Sequence, residues 1–356
     1  LQPVDIGFAD IAYLQYTGGT TGVSKGAMLS HRNMVYNVQQ TITWQADAYA
    51  GVEPIIAITA LPLYHIFSLE GNCLTVMAQG GQNVLISNPR DFEGFAKEIA
   101  RFEFNLFTGV NTMFASLMHT PSFDKIDFSH QRVCIGGGMA VQPAVAKEWK
   151  EKTGRTILQG YGLTETSPVA ICCAIDSDFT GTIGLPVPST DVMIVGDDGN
   201  DLPLGEVGEI CIKGPQVMEG YWQRPKDTAD VMLPGGWLRT GDVGRIDDEG
   251  YVWIEDRKKD MILVSGFNVY PNEIENVVVE LDGVLEAAAV GVADERSGEV
   301  VKIFAVRKDE TLTEQDIIDH CRENLTGYKR PKMVEFRDEL PKTNVGKILR
   351  RELRDS

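Results

Sequence analysis

Residues 16–26 read Tyr16-Thr17-Gly18-Gly19-Thr20-Thr21-Gly22-Val23-Ser24-Lys25-Gly26. Glycines let backbone amides approach phosphate oxygens, small hydroxyls add donors, and a lysine at the end adds charge. The nucleoside-triphosphatase loop places its last glycine directly before Lys-Ser/Thr. Here Lys25 follows Val23-Ser24 and precedes Gly26, so this is a phosphate loop of another kind or a flexible turn. The apolar run Ile11–Tyr16 ahead of it reads as a strand, and Ser30 behind it has the chemistry of a helix N-cap.

Working outward, residues 55–61 and 83–87 are further short apolar runs, with a helical pattern around 92–102. Alternating strands and helices predict a mostly parallel sheet covered by helices. After residue 180 the pattern changes. Short runs at Val192–Val195, Glu209–Lys213 and Tyr251–Ile254 recur between turn signals such as Asp197-Asp198-Gly199-Asn200, as antiparallel strands of a small barrel or sandwich do. Asp256-Arg257-Lys258-Lys259-Asp260 is a charged break. Beyond it, Ile274, Val277, Val278 and Leu281 mark one helix face that starts near Pro271. Strands at 287–292 and 300–306 and a helix at 313–325 follow. The expected organisation is a large domain, 1–256, and a small α+β domain, 257–356, hinged near Lys259.

The 356 residues are 43% hydrophobic and 24% charged, an ordinary globular composition. No apolar run reaches the roughly 18 residues of a membrane-spanning helix. Basic residues number 33 and acidic ones 51, and the net charge of −18 argues against a nucleic-acid binder. Against that background the stretch from Lys329 onward is locally basic, either a solvated face or a surface that meets a phosphorylated ligand. The six cysteines lie scattered, most among apolar neighbours as in Val133-Cys134-Ile135, and read as reduced core thiols of a cytosolic protein. A start at Leu1-Gln2-Pro3 rather than Met reads as a fragment.

Four further blocks follow the loop: Gly136-Gly137-Gly138 after an apolar run; Gln159-Gly160-Tyr161-Gly162-Leu163-Thr164-Glu165; Gly236-Trp237-Leu238-Arg239-Thr240-Gly241-Asp242; and Pro341-Lys342-Thr343-Asn344-Val345-Gly346-Lys347. With the loop, and in this order, they resemble the signatures of the adenylate-forming enzymes, which include acyl-CoA synthetases, peptide-synthetase adenylation domains and luciferases. The stretches Gly236–Lys259, Met261–Glu275, Leu61–Phe67 and Gly109–Phe114 are most similar to the bacterial long-chain fatty acyl-CoA synthetase branch. The resemblance covers essentially the whole chain, minus a substantial stretch that family members carry before the phosphate loop. It implies an α/β (mixed α+β) adenylate-forming fold: a large sheet–helix domain with a small barrel-like β region, plus a small mobile C-terminal α+β domain.

It also implies a reaction in two halves. A fatty carboxylate attacks the α-phosphate of ATP, giving acyl-AMP and pyrophosphate. The thiol of coenzyme A then attacks the acyl carbonyl and releases AMP. The substrates supply both nucleophiles, so the protein orients reactants and stabilises phosphoryl charge. The resemblance assigns catalysis to Lys347, Thr164 and Glu165. ATP and AMP binding falls to Thr17, Gly18, Gly19, Thr20, Thr21, Gly22, Lys25, Gly137, Gly138, Gln159, Gly160, Tyr161, Gly162, Asp242, Ile254 and Arg257. An ammonium at Lys347 suits the α-phosphate, and Asp242, an acceptor-only carboxylate, suits the ribose hydroxyls. Glu165, with Thr20, suits magnesium carried on the ATP phosphates.

His65, Gly109, Val110, Phe114 and Gly136 are expected either to border the acyl chain or to be plain core. Ser265, Gly266, Phe267 and Lys329, with Arg330 and Lys332, are expected near coenzyme A once the small domain has rotated about Lys259. The partners are therefore a fatty acid, ATP and coenzyme A, with Mg2+ as cofactor and no nucleic acid. Further expectations are a role in β-oxidation, a cytoplasmic location with peripheral contact at the inner face of the cell membrane, and a homodimer. Two alternatives stand: an adenylase that loads an acyl or aminoacyl group onto a carrier protein, and a non-catalytic nucleotide-binding fragment.

Overall fold

A computed structural model describes residues 4–17 and 24–354. The chain packs into two compact units, the first of residues 1–141, 145–240 and 245–253, the second of 142–144, 241–244 and 254–356.

The first unit is built on a seven-stranded sheet in the order Gln82–Leu85, Ile56–Thr59, Leu106–Gly109, Val133–Gly136, Leu158–Gly162, Val169–Cys172, Leu185–Pro186. The first five are parallel and the last two antiparallel, as the alternation of strands and helices predicts. Successive side chains of a strand point to opposite faces. So Ile58, Phe107 and Cys134 enter one apolar core, while their neighbours Ala57, Leu106, Val133 and Ile135 enter another on the opposite side. Both faces are covered, which is why these strands read as continuous apolar runs rather than alternating ones. In the first core Phe114 meets Phe107 edge-on at 5.6 Å and Trp149 edge-on at 5.0 Å. Edge-on pairs of this kind add about 0.5–1.5 kcal/mol each beyond area burial.

Ile11–Tyr16 forms a strand as expected, but outside the large sheet: with a second strand, Gly26–Ser30, and with Gly220–Tyr221 it forms a three-stranded antiparallel sheet. Gly26–Ser30 is five residues long and merges into the helix His31–Gln45, so it has no separate period to read. The cap itself is as expected: the Ser30 hydroxyl accepts from the Asn33 amide, and the Asn33 side chain accepts from the Ser30 amide at 2.8 Å.

Five strands after residue 180 form one sheet: Asp191–Val195, Gly208–Lys213, Trp237–Ile246, Met232–Leu233 and Val252–Arg257. The ten-residue strand Trp237–Ile246 bonds three partners.

The second unit centres on Val284–Asp294 and Gly298–Arg307, an antiparallel pair flanked by Ile262–Val264 with Phe267–Val269 and by Met333–Phe336. Pro271 opens the helix Pro271–Val279, and Thr313 caps Glu314–Asn324 with a capping box. Alternation again builds two cores. Ala287, Ala289, Ile303 and Ala305 pack on one face with Ile274, Val278 and Ile317, while Ala288, Val290 and Phe304 pack on the other with Leu340 and Leu353. The six cysteines are unpaired, and all but Cys73 are buried. Among the described residues no helix is long and apolar enough to cross a membrane.

Glu70 is fully buried in the π-helical turn Leu69–Leu74, where it accepts from the hydroxyls of Thr41 and Thr75. Burial pushes its carboxyl up to about 8, against an ordinary 4.5. The folded chain therefore binds this proton more tightly than the unfolded one. The stability Glu70 contributes is complete below pH 4.5 and is lost as pH rises through about 8. Glu70→Gln removes the titration. Thermal unfolding is expected to show the variant gaining on the parent between pH 5 and pH 9, and parallel pH curves would refute this.

Candidate active site

Thr17 and Lys25 close the ends of the hairpin. The Thr17 amide donates to the Lys25 carbonyl at 2.8 Å, the Lys25 amide donates back to the Thr17 hydroxyl at 3.3 Å, and the Ser24 hydroxyl donates to the Thr17 carbonyl. Gly18, Gly19, Thr20, Thr21 and Gly22 lie outside the described residues. The Lys25 ammonium is 2.5 Å from Asp227 and lies over the ring of Tyr221, 5.0 Å from its centroid. The lysine's bond holds the Asp227 carboxyl below the usual carboxylate range.

Gly136 ends a strand of the large sheet, and the Gly137 amide donates to the carbonyl of Gly109. A Cβ on Gly136 would stand 2.4 Å from Val141, and one on Gly137 would stand 3.0 Å from the Gly160 carbonyl oxygen. Gly136 therefore makes room for the Val141 side chain, and Gly137 for the backbone of the neighbouring strand. Gln159 is buried, and its side chain is committed to the scaffold: it accepts from the Val141 amide and donates to the carbonyls of Gly181 and Thr182, all at 3.0 Å. Gly160, Tyr161 and Gly162 continue the strand. A Cβ on Gly162 would lie 1.8 Å from the Pro168 carbonyl oxygen, so only glycine fits there. Thr164 and Glu165 then sit in a half-buried 3₁₀ turn, Thr164–Thr166. Glu165 accepts from the Tyr221 hydroxyl at 2.5 Å. Burial, then the Glu165 carboxylate, raise the Tyr221 phenol above its usual range.

His65 is the N-cap of the short helix Ile66–Ser68, its Nδ1 accepting from the Phe67 amide at 3.3 Å. Gly109 ends a strand, and Val110 is the buried N-cap residue of Asn111–Met118. The ring of Phe114 is part of the aromatic core described above.

In the second unit, Thr343–Lys347 form a turn. The Thr343 amide donates to the Lys347 carbonyl at 2.8 Å, the Lys347 amide donates to the Thr343 hydroxyl at 3.1 Å, and Gly346 takes φ +80°. Burial first, then the guanidinium of Arg257, push the Lys347 ammonium down to about 7. Lys259 and Arg350 push the same way, and Asp242 opposes them. Asp242 is buried and 3.4 Å from Arg257 Nε. Ile254 precedes Arg257 on the strand Val252–Arg257.

Ser265 and Gly266, with φ of +52° and +84°, make the two-residue turn between Ile262–Val264 and Phe267–Val269. Positive φ at both positions matches the strand twist. Phe267 is exposed and stacks on Tyr328 at 4.7 Å. Lys329 donates to both oxygens of Glu273, at 2.6 and 2.7 Å, and Arg330 donates to the Leu325 carbonyl. Lys332 is exposed.

Sequence reasoning missed Tyr221, Asp227 and Arg350. The only signal for Arg350 was its place between Ile348, Leu349 and Leu353 in a locally basic tail. Its side chain is half-buried, bonding Glu275 at 2.7 Å and Asn272 at 2.7 Å, with Asp256 at 3.4 Å. Asp256 belongs to the charged break, yet it is buried. Burial, with Glu275 adding to it, pushes its carboxyl up to about 6 against the opposing pull of Arg350.

Comparison with known proteins now gives the class. Residues 2–222 match the AMP-binding enzyme family, and residues 273–347 match the AMP-binding enzyme C-terminal domain. The chain belongs to the AMP-binding, adenylate-forming family, and its fold is theirs. It is 58% identical over 348 residues to a long-chain-fatty-acid–CoA ligase of Escherichia coli O6:H1, and 41% identical over 347 residues to one of Bacillus subtilis. Each alignment takes in 97% of this chain but only 62% and 61% of those proteins. The chain thus spans about three fifths of the length of these curated relatives. The crystal structure of ATP-bound MatB from Rhodopseudomonas palustris superposes with a TM-score of 0.89 at 34% identity, covering 99% of this chain and 69% of that one.

Removing Arg350 would leave Asp256 and Glu275 buried without their cation. Breaking such a pair costs on the order of 3–5 kcal/mol. Arg350→Ala is expected to lower the urea midpoint strongly at pH 8 and less at pH 5, where the abandoned carboxyls can take up protons. An equal loss at both pH values would contradict this account.

Proposed function

We propose that this chain carries the chemistry of a long-chain fatty acid–CoA ligase, an AMP-forming acid–thiol ligase. The observation that supports it most is the 58% identity to such a ligase of Escherichia coli, which extends over 97% of this chain. In this reading Lys25, Thr17 and the loop between them meet the β- and γ-phosphates. Tyr161 stacks on adenine, Gly137 and Gly138 bring backbone amides to the nucleotide, and Asp242 accepts from the ribose hydroxyls, with Arg257 and Ile254 beside it. Thr164 meets the α-phosphate.

Lys347 neutralises the charge that builds between carboxylate and α-phosphate. A half-buried ammonium is suited to this, because a charge held out of water acts more strongly on a neighbouring anion. The acyl chain runs past His65, Val110, Gly109 and Gly136. Pantetheine runs past Ser265, Gly266 and Phe267, with Lys329 toward the phosphates of coenzyme A, after a rotation about Lys259.

A divalent cation fits the donor chemistry at Glu165, a half-buried carboxylate with hard oxygens. Among the described residues no cluster of three or more His, Cys, Asp or Glu could hold one unaided. Glu165 and Thr20 would therefore share the ion with ATP phosphate oxygens. Magnesium bound there supplies neutralisation of phosphate charge. The product feeds reactions that consume acyl-CoA, as β-oxidation does. A long-chain fatty acid partitions into bilayers, which favours a cytoplasmic protein touching the inner face of the cell membrane.

Incubation with ATP, Mg2+, coenzyme A and a mixture of fatty acids, read by mass spectrometry, tests the proposal. Acyl-CoA with AMP and pyrophosphate is expected, weighted to long chains. Lys347→Ala should cut acyl-AMP formation by about 10²–10³, while thioester formation from supplied acyl-AMP survives. Acyl-AMP that accumulates without thioester would move the reading to a carrier-loading adenylase. Absence of both products would contradict it.

A further inference from the structure

Tyr221 stands between the two charged groups that the proposed function places on the ATP phosphates. Its hydroxyl donates to Glu165 Oε1 at 2.5 Å, and its ring carries the Lys25 ammonium on one face, 5.0 Å from the centroid. The same ammonium lies 2.5 Å from Asp227.

The backbone around Tyr221 is fixed on both sides. The Met218 amide donates to the Glu165 carbonyl at 2.9 Å, the Glu219 amide to Met28 at 3.0 Å, and the Trp222 amide to Gly26 at 2.8 Å. Tyr221 pairs with Ala27 across the small sheet, and its own amide donates to the Thr228 hydroxyl at 2.9 Å. The segment Met218–Trp222 thus stitches the lysine-bearing hairpin to the turn that holds Glu165.

Resting on the reading that Glu165 takes a divalent ion carried by ATP, we propose that Tyr221 is the positioning residue of the phosphate site, aiming the Glu165 carboxylate through its hydroxyl and seating Lys25 on its ring. The chemistry is that of an outer-shell donor. A phenol that occupies one lobe of a carboxylate fixes the direction in which the rest of that carboxylate meets a metal. Loss of such partners typically costs 10–100-fold in metal affinity. A cation on an aromatic face gains about 0.5–1 kcal/mol at exposed sites, equivalent to roughly two- to five-fold in affinity. The two contacts are therefore separable by substitution.

The test uses the whole chain and two binding measurements: ATP alone in the presence of chelator, by calorimetry, and Mn2+ with saturating ATP, by electron paramagnetic resonance. Tyr221→Phe keeps the ring and removes the hydroxyl. It is expected to weaken Mn2+ binding in the ATP complex by about ten-fold and to leave metal-free ATP affinity unchanged. Tyr221→Leu should add a loss of about two- to five-fold in metal-free ATP affinity. Unchanged Mn2+ affinity in Tyr221→Phe overturns the proposal, as does an equal loss of both affinities, which marks a purely structural role. Glu165→Gln separates the two levels. If it lowers Mn2+ affinity while Tyr221→Phe does not, only the role of Tyr221 falls. If Glu165→Gln also leaves Mn2+ affinity intact, the assignment of Glu165 falls with it.

Discussion

An ammonium group held partly out of water among other cations is unfavourable until an anion reaches it. That is the condition of Lys347. Burial depresses its proton affinity, Arg257, Lys259 and Arg350 depress it further, and Asp242 pulls back. The rest of the second unit maintains this imbalance. The turn Thr343–Lys347 fixes the backbone, and Arg350 is in turn held by Asp256, Asn272 and Glu275. An ammonium kept partly out of water is the kind of group that can stabilise negative charge gained during a reaction.

The first unit treats its lysine differently. Lys25 already has a carboxylate, Asp227, and an aromatic face, Tyr221. Its ion pair is partly exposed and of modest strength. A phosphate carries more charge than one carboxylate and can take the ammonium over without leaving a buried charge behind. The two lysines are thus held in two ways: Lys25 against an exchangeable carboxylate, and Lys347 out of water beside other cations with Asp242 opposing them.

Much of this was legible in the sequence because it is local. The strand Ile11–Tyr16, the Ser30 cap and the helix that begins at Pro271 follow from periodicity and capping chemistry within a few residues. The two-faced cores of both sheets follow from short apolar runs between helices. What was not legible depends on distant partners. The strand Gly220–Tyr221 is two residues long and pairs with a hairpin some two hundred positions earlier. Arg350 looks like any tail arginine until Asp256 and Glu275 fold against it. Gln159 carries a polar side chain that reads equally well as a ligand contact. The structure turns it toward Val141, Gly181 and Thr182.

The electrostatic account of Lys347 is open to direct titration. With lysine labelled at the ε position and Lys347→Arg used for assignment, heteronuclear NMR reads the ammonium of Lys347 across pH, with and without ATP. The account predicts a midpoint near 7 in the free chain, a rise when Arg257 is replaced by Gln, and a rise again when ATP binds. A midpoint near the ordinary 10.5 in the free chain, unmoved by either change, would contradict it.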